Sequence, residues 1–195
     1  MEFLQWIIDT LRDPREIIEA GGYYALGLVI FLETGALVFF LPGDSLLFIA
    51  GMYAAKGVLD IATLNLLLIP LAILGDAVSY TIGAKIGPKL FNKPETRFFK
   101  PQYVRQAHDF YEKHGGKAIV LARFAPIVRT FVPVVASVAG MRDRDFAVYN
   151  VIGAAAWILS MSILGYFLGQ VPLVEKNLEK VVVLIVLLSI LPGLL

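Results

Sequence analysis

Long apolar runs alternate with short polar ones along the chain, and the runs are not all alike. Phe3, Leu4, Ile7, Ile8 and Leu11 recur at helical spacing with polar residues between them. The pattern predicts an amphipathic helix over residues 1–22, either lying on a membrane surface or packing on the rest of the chain. Residues 24–55 are apolar almost throughout but are interrupted by Gly35, Pro42 and Gly43. One crossing helix needs about 20 residues; this run is too long for one span and too short for two. It therefore predicts a re-entrant hairpin turning at 41–43, with a long kinked helix as the alternative. Residues 59–86 form a spanning candidate that carries Pro70, Asp76 and the glycines Gly75, Gly83 and Gly87. A polar stretch over 88–116 follows, in which Tyr103, Ala107, Phe110, Tyr111 and His114 share one helical face and Gly115-Gly116 ends the helix. The run 118–141 is broken again, at Pro126 and Pro133, and predicts a second hairpin. Residues 146–170 make a clean span with Trp157 midway. The run 181–195 begins a last span that is short for a crossing, so a longer natural C-terminus is expected.

The two broken runs are similar to each other. Phe40-Leu41-Pro42 leading to Ala50-Gly51 parallels Phe131-Val132-Pro133 leading to Ala139-Gly140. Each is followed by a polar turn and a full span. From Lys85 to Lys117 the chain has eight basic residues against three acidic ones, an excess that marks the cytoplasmic side. The first hairpin then opens from outside and the second from inside. The expected fold is an all-α integral membrane protein, an inverted repeat of two opposed re-entrant hairpins plus spanning helices. Such repeats place a site near the midplane.

Composition agrees. Of 195 residues, 58% are hydrophobic, and the mean hydropathy is +0.75, far above a soluble domain. The opening residues lack the basic n-region of a signal peptide. There are no cysteines, which excludes disulfides, thiolate zinc sites and cysteine nucleophiles. The two histidines, His108 and His114, both fall in the polar stretch, and His114 reads as a cap before Gly115-Gly116. No histidine lies in an apolar run and no cluster has metal-ligand spacing, so neither an enzyme nor a cofactor is expected. A net charge of +1 says little about partners, and nothing points to nucleic acid.

The charges inside the apolar runs carry the chemistry. The first broken run holds only Glu33 and Asp44, and the second only Arg123 and Arg129. Charged groups at membrane depth are expensive, about 2.5–3.5 kcal/mol each at a helix centre, and mark functional sites. Arg123 and Arg129 are six apart, about 240° around an unbroken helix, so a break near Pro126 is needed to bring both to one site. Guanidinium groups bind phosphate bidentately and stay charged, which makes the arginines candidate substrate ligands. A half-helix starting near Pro133 would add backbone N–H groups aimed at an anion. Burial and a neighbouring arginine act oppositely on a carboxyl's proton affinity, so Glu33 and Asp44 are candidate proton-coupling groups. Asp76 and Tyr80, one turn apart, are supporting candidates, with Tyr80 expected to bond Asp76 or a headgroup. A purely structural pairing of the arginines with the acids remains open beside this reading. The glycine series 75, 83 and 87 offers either a dimer face or an internal packing face.

Taken together, Glu33, Leu41-Pro42-Gly43-Asp44, Gly75-Asp76, Tyr80, Gly83 and Gly87 resemble the DedA family of bacterial membrane proteins. So do His114-Gly115-Gly116, Arg123-Phe124, Pro126, Arg129-Thr130-Phe131-Val132-Pro133 and Ala139-Gly140. The resemblance covers residues 24–170. The family is also known for its VTT, or SNARE-associated, domain and is similar to eukaryotic lipid-scrambling proteins. The resemblance implies two opposed re-entrant hairpins in the bacterial cytoplasmic membrane. It implies transport of a polyprenyl-phosphate carrier such as undecaprenyl phosphate, driven by a proton or sodium gradient. It also implies that the acidic pair Glu33 and Asp44 and the arginine pair Arg123 and Arg129 are the functional residues. Two other readings of the same charges are a proton-coupled cation antiporter and a passive phospholipid scramblase.

Overall fold

A computed structural model describes residues 14–36, 43–91 and 115–172, together with 113, 174, 177, 180 and 181. The first thirteen residues, residues 37–42 where the first hairpin is expected to turn, His114, most of the 88–116 segment and nearly all of 181–195 lie outside the described residues. The elements are α1 (Pro14–Gly35), α2 (Gly43–Ala55), α3 (Ile61–Phe91), α4 (Lys117–Ala122), α5 (Pro126–Val138) and α6 (Asp143–Leu168). Among the described residues there is no strand.

The boundary expected between an N-terminal helix and a first hairpin falls inside α1. The helix kinks at Gly22, with φ 50 and ψ −131, and then continues to Gly35. Glycine has no Cβ to forbid that left-handed backbone, so the change of direction costs little there. α2 is buried on nearly all sides. It is apolar around its whole circumference, as a helix at the centre of a bundle is. At 13 residues and 1.5 Å per residue it is shorter than the roughly 30 Å bilayer core, and α5, also 13 residues, is equally short.

α2 packs along α6, and glycines set the distance. A side chain at Gly51 would overlap the Ser162 carbonyl, and one at Gly165 the Phe48 carbonyl. Small residues of this kind let apolar helices approach closely, where dispersion and interhelical hydrogen bonds replace the hydrophobic effect as the adhesive. Beside this seam, Ser162 Oγ donates to Asn65 Oδ1 at 2.8 Å, joining α6 to α3. Gly165→Ala is expected to destabilise the bundle by about 1–3 kcal/mol, the usual cost of overpacking, read as a lower thermal midpoint in detergent. Val148→Ala, on the exposed face of the same helix, should leave it unchanged.

α3 starts at a cap: Asp60 Oδ1 accepts from the Thr63 backbone N–H and hydroxyl, both at 2.7 Å. Those bonds hold the exposed Asp60 carboxyl below its ordinary range. Further along, Gly75 lies against Thr34 and the Phe31 carbonyl of α1, and Gly83 against Val134 of α5. Both glycines are therefore used within the chain.

The second apolar run breaks once. Gly115, at φ 60, turns the chain into α4. The backbone then leaves the helix at Arg123 and is extended at Ala125, with φ −112 and ψ 105. α5 begins at Pro126, where a missing N–H is no loss. The second expected break, at Pro133, does not occur: Pro133 lies inside α5. Its ring removes one hydrogen bond, but the helix continues to Val138 and turns at Gly140, φ 80. The only helix start in this run among the described residues, after α4, is therefore at Pro126, not Pro133.

Within a largely apolar interior the protein buries several charges, and it exposes large apolar side chains at its surface. Tyr24, Leu66, Leu121 and Phe167 are largely exposed, while Glu33, Asp44, Asp76, Arg123 and Arg129 are buried. Exposed apolar side chains beside buried, paired charges suit a lipid surrounding. Among the described residues, two helices are long and apolar enough to cross a membrane, over Ile61–Lys85 and Asp143–Leu168.

Candidate functional site

Four helices meet around Arg129. The last turn of α1 supplies Glu33, the first turn of α2 supplies Asp44, the first turn of α5 supplies Arg129, and the middle of α6 supplies Trp157. Arg129 Nη1 donates to Asp44 Oδ1 at 2.5 Å, and Nη2 donates to Glu33 Oε1. One guanidinium thus bridges two carboxylates, using a different nitrogen of its rigid planar fork for each. The Trp157 ring lies 4.2 Å from the guanidinium carbon, a cation–π contact. Its indole N–H donates to the same Asp44 oxygen at 2.7 Å. Trp157 therefore holds both members of the pair. Gly43 leaves the room for the Glu33 carboxylate, which a side chain at that position would overlap. Glu33 Oε2 and Arg129 Nε make no hydrogen bond among the described residues.

A second buried pair stands beside the first. Arg123, at the break between α4 and α5, pairs with Asp76 of α3. Its Nη2 also donates to Asn150 Oδ1 at 2.5 Å, and Asn150 Nδ2 donates to the Ile73 carbonyl at 3.1 Å. Gly153, one turn past Asn150, leaves space for the Arg123 side chain: a Cβ there would come 2.8 Å from its Cδ. The break before Pro126 is what lets both arginines turn inward, and their charges are close enough to interact. Ser79 completes the floor. Its hydroxyl lies 2.7 Å from the Thr34 carbonyl and 3.1 Å from that of Gly35, meeting acceptors that the end of α1 would otherwise leave orphaned.

Glu33, Asp44, Arg123 and Arg129 thus come together, and Asp76 joins them as the partner of Arg123. Tyr80 does not. Its hydroxyl reaches the Met141 carbonyl at 2.5 Å and Asp143 Oδ1 at 2.9 Å, and its ring stacks on Phe146 with centroids 4.1 Å apart. Asp76 is taken by Arg123, so the Tyr80 hydroxyl has its acceptors elsewhere. Trp157 and Asn150 are additions that the sequence reading did not single out. They are seven apart on α6, two helical turns, and so share the face that meets both arginines. The cluster holds three carboxyl groups and two guanidinium groups. With all five ionised it carries a net charge of minus one.

The VTT domain family matches residues 20–167, the stretch that contains every residue of this cluster. Over 176 residues the chain is 51% identical to Protein DedA of Escherichia coli K12, covering 89% of this chain and 80% of that one. The chain belongs to the DedA family. An uncharacterized membrane protein of Mycobacterium tuberculosis is 45% identical over 192 residues, 94% of this chain and 85% of that one. The inner membrane protein YqjA of Escherichia coli K12 is 34% identical over 183 residues, 93% of this chain and 82% of that one. No solved structure matches significantly. In this DedA-family membrane protein the VTT domain is thus the part that brings five charged side chains together inside an apolar shell.

Proposed function

We propose that the protein moves a lipid phosphate, undecaprenyl phosphate or a related lipid, across the bacterial cytoplasmic membrane, and that the proton or sodium gradient drives it. The observation that carries this reading is the charge imbalance around Arg129: two carboxylates share one guanidinium, buried on all sides. A buried cluster with one surplus negative charge is costly, and one bound cation removes the surplus. A proton on Glu33 or Asp44 does so and also weakens that acid's hold on Arg129. The freed guanidinium edge can then take two phosphate oxygens. Loss of the proton on the cytoplasmic side restores the bridge and expels the anion. The lipid's chain stays in the bilayer while its headgroup is among the charges.

Under this reading α1–α2 and α4–α5 are opposed re-entrant hairpins of an inverted repeat. The basic segment after α3 is cytoplasmic, and the short helices α2 and α5 meet at mid-depth. The protein is a transporter and not an enzyme. The name of YqjA as an inner membrane protein supports the location.

The test is lipid-phosphate movement in proteoliposomes with and without an imposed proton or sodium gradient. Movement that requires one of the gradients supports coupled transport. Movement indifferent to both would identify a passive scramblase instead, and cation exchange without lipid movement would identify an antiporter.

A further inference from the structure

The two carboxylates on Arg129 are not held alike. Among the described residues, Glu33 accepts a hydrogen bond from one side chain, that of Arg129. Asp44 Oδ1 accepts from two, Arg129 Nη1 at 2.5 Å and the Trp157 indole N–H at 2.7 Å. Asp44 also stands in the first turn of α2, where the helix end favours a negative charge. The guanidinium is divided in the same way. Its Nη1 goes to Asp44 and its Nη2 to Glu33. Nε, on the same edge as Nη2, makes no hydrogen bond among the described residues, although Arg129 is only 5% exposed. The Trp157 ring covers the face of the guanidinium, and a cation–π contact leaves the N–H groups at the edges free to bond.

We infer that Glu33 is the carboxylate that gives way to the lipid phosphate, which takes the Nε and Nη2 edge of Arg129 while Nη1 stays on Asp44 under the hold of Trp157. This rests on the lipid-phosphate reading and names the seat of the headgroup within that site. Two parallel N–H groups on one edge match two oxygens of a phosphate. Displacing Glu33 breaks one side-chain hydrogen bond at that edge and lets two form. Displacing Asp44 would break two bonds on one oxygen. Asp44, kept in place, also fixes the direction in which the free edge points. The indole ring gives the guanidinium a platform that does not compete with an anion for its N–H groups. Trp157 thus acts through Asp44 and Arg129 and not on the lipid, which makes it a positioning residue.

The test is calorimetric titration of the full-length protein in neutral detergent with farnesyl phosphate, a short single-chain lipid phosphate, against farnesol as the uncharged control. Glu33→Gln and Asp44→Asn remove the same charge from the cluster, so electrostatics alone would raise the affinity equally. Glu33→Gln is expected to bind farnesyl phosphate about tenfold more tightly than Asp44→Asn, because it removes the competitor and keeps the anchor. Trp157→Phe keeps a ring beneath the guanidinium and removes only the indole N–H. It should bind about fivefold more weakly than the unaltered protein, since the anchor loosens. In the Trp157→Phe background the gap between Glu33→Gln and Asp44→Asn should close, which a general loosening of the fold would not cause. Asp44→Asn binding as tightly as Glu33→Gln, or more tightly, would overturn the inference. So would Trp157→Phe binding as well as the unaltered protein, a result that decides the matter alone if Asp44→Asn does not fold. In both cases the phosphate still binds and the transport reading stands. Binding of farnesyl phosphate no stronger than that of farnesol, in the unaltered protein and in Glu33→Gln alike, would overturn the lipid-phosphate reading and this inference with it.

Discussion

Arg129→Met is expected to abolish lipid-phosphate movement and to destabilise the protein by about 3–5 kcal/mol, the range for removing one partner of a buried ion pair. The side chain sits between Glu33 and Asp44 and against the face of Trp157. Methionine fills much of the space but leaves two carboxylates facing each other in a low-dielectric interior. Stability alone would not distinguish a transport residue from a structural one. A triple variant, Arg129→Met with Glu33→Gln and Asp44→Asn, does so. It removes the cation and both anions together, and such neutral replacements are often well tolerated. The side-chain carbonyl introduced by Asp44→Asn can still accept the Trp157 N–H. Thermal unfolding of the triple variant should recover most of the loss, while transport in proteoliposomes stays at background. Transport by the triple variant would show that the arginine only neutralises the acids.

The second large effect belongs to the acids. Glu33→Gln and Asp44→Asn each leave Arg129 with one carboxylate, which converts an unbalanced cluster into a balanced one. The surplus charge that attracts a coupling cation is then gone. In at least one of the two variants, the response of transport to an imposed proton gradient should fall to that of an ungated control. Lipid movement down its own concentration difference should persist or slow by less than the gradient-driven rate. If both variants transported with an undiminished response to the gradient, coupling through this pair would be wrong, and Asp76 would be the next carboxyl to test. The two positions are not equivalent. Asp44 also accepts the Trp157 N–H, so Asp44→Asn should disturb the packing on α6 more than Glu33→Gln does.

Much of this site was legible in the sequence because charge inside an apolar run is rare and costly. Glu33, Asp44, Arg123 and Arg129 stand out for that reason, and the break they require was visible at Pro126, where proline favours a helix start. Pro133 misled the reading because the same residue can also sit within a helix when only one hydrogen bond is lost. The kink at Gly22 was hidden for the opposite reason. A helical pattern on both sides says nothing about the angle between them, and only the backbone at that glycine sets it. Trp157 and Asn150 escaped because neither is charged. Trp157 looks like an ordinary apolar residue of a spanning helix until Asp44 and Arg129, 113 and 28 positions away, are placed beside it. The signal available was modest: an amide and an indole N–H seven residues apart on an otherwise apolar helix. The partner of Asp76 was not legible either. Local spacing pointed to Tyr80, whereas Arg123 lies 47 positions along the chain and meets Asp76 only because α5 folds back onto α3.

The separation of the bridge partners along the chain bears on how the protein is made. Asp44 is synthesised 85 residues before Arg129, and Glu33 96 residues before it. At about 5–20 residues per second, roughly 4–20 seconds pass between the appearance of the acids and that of their counter-ion. Trp157 comes later still. During that interval α1 and α2 reach the insertion machinery carrying carboxylates that have nothing to neutralise them. They must wait at the interface or enter as uncharged acids. The mature site is therefore a late event in biogenesis, since a chain halted before α5 holds both acids without the arginine that bridges them.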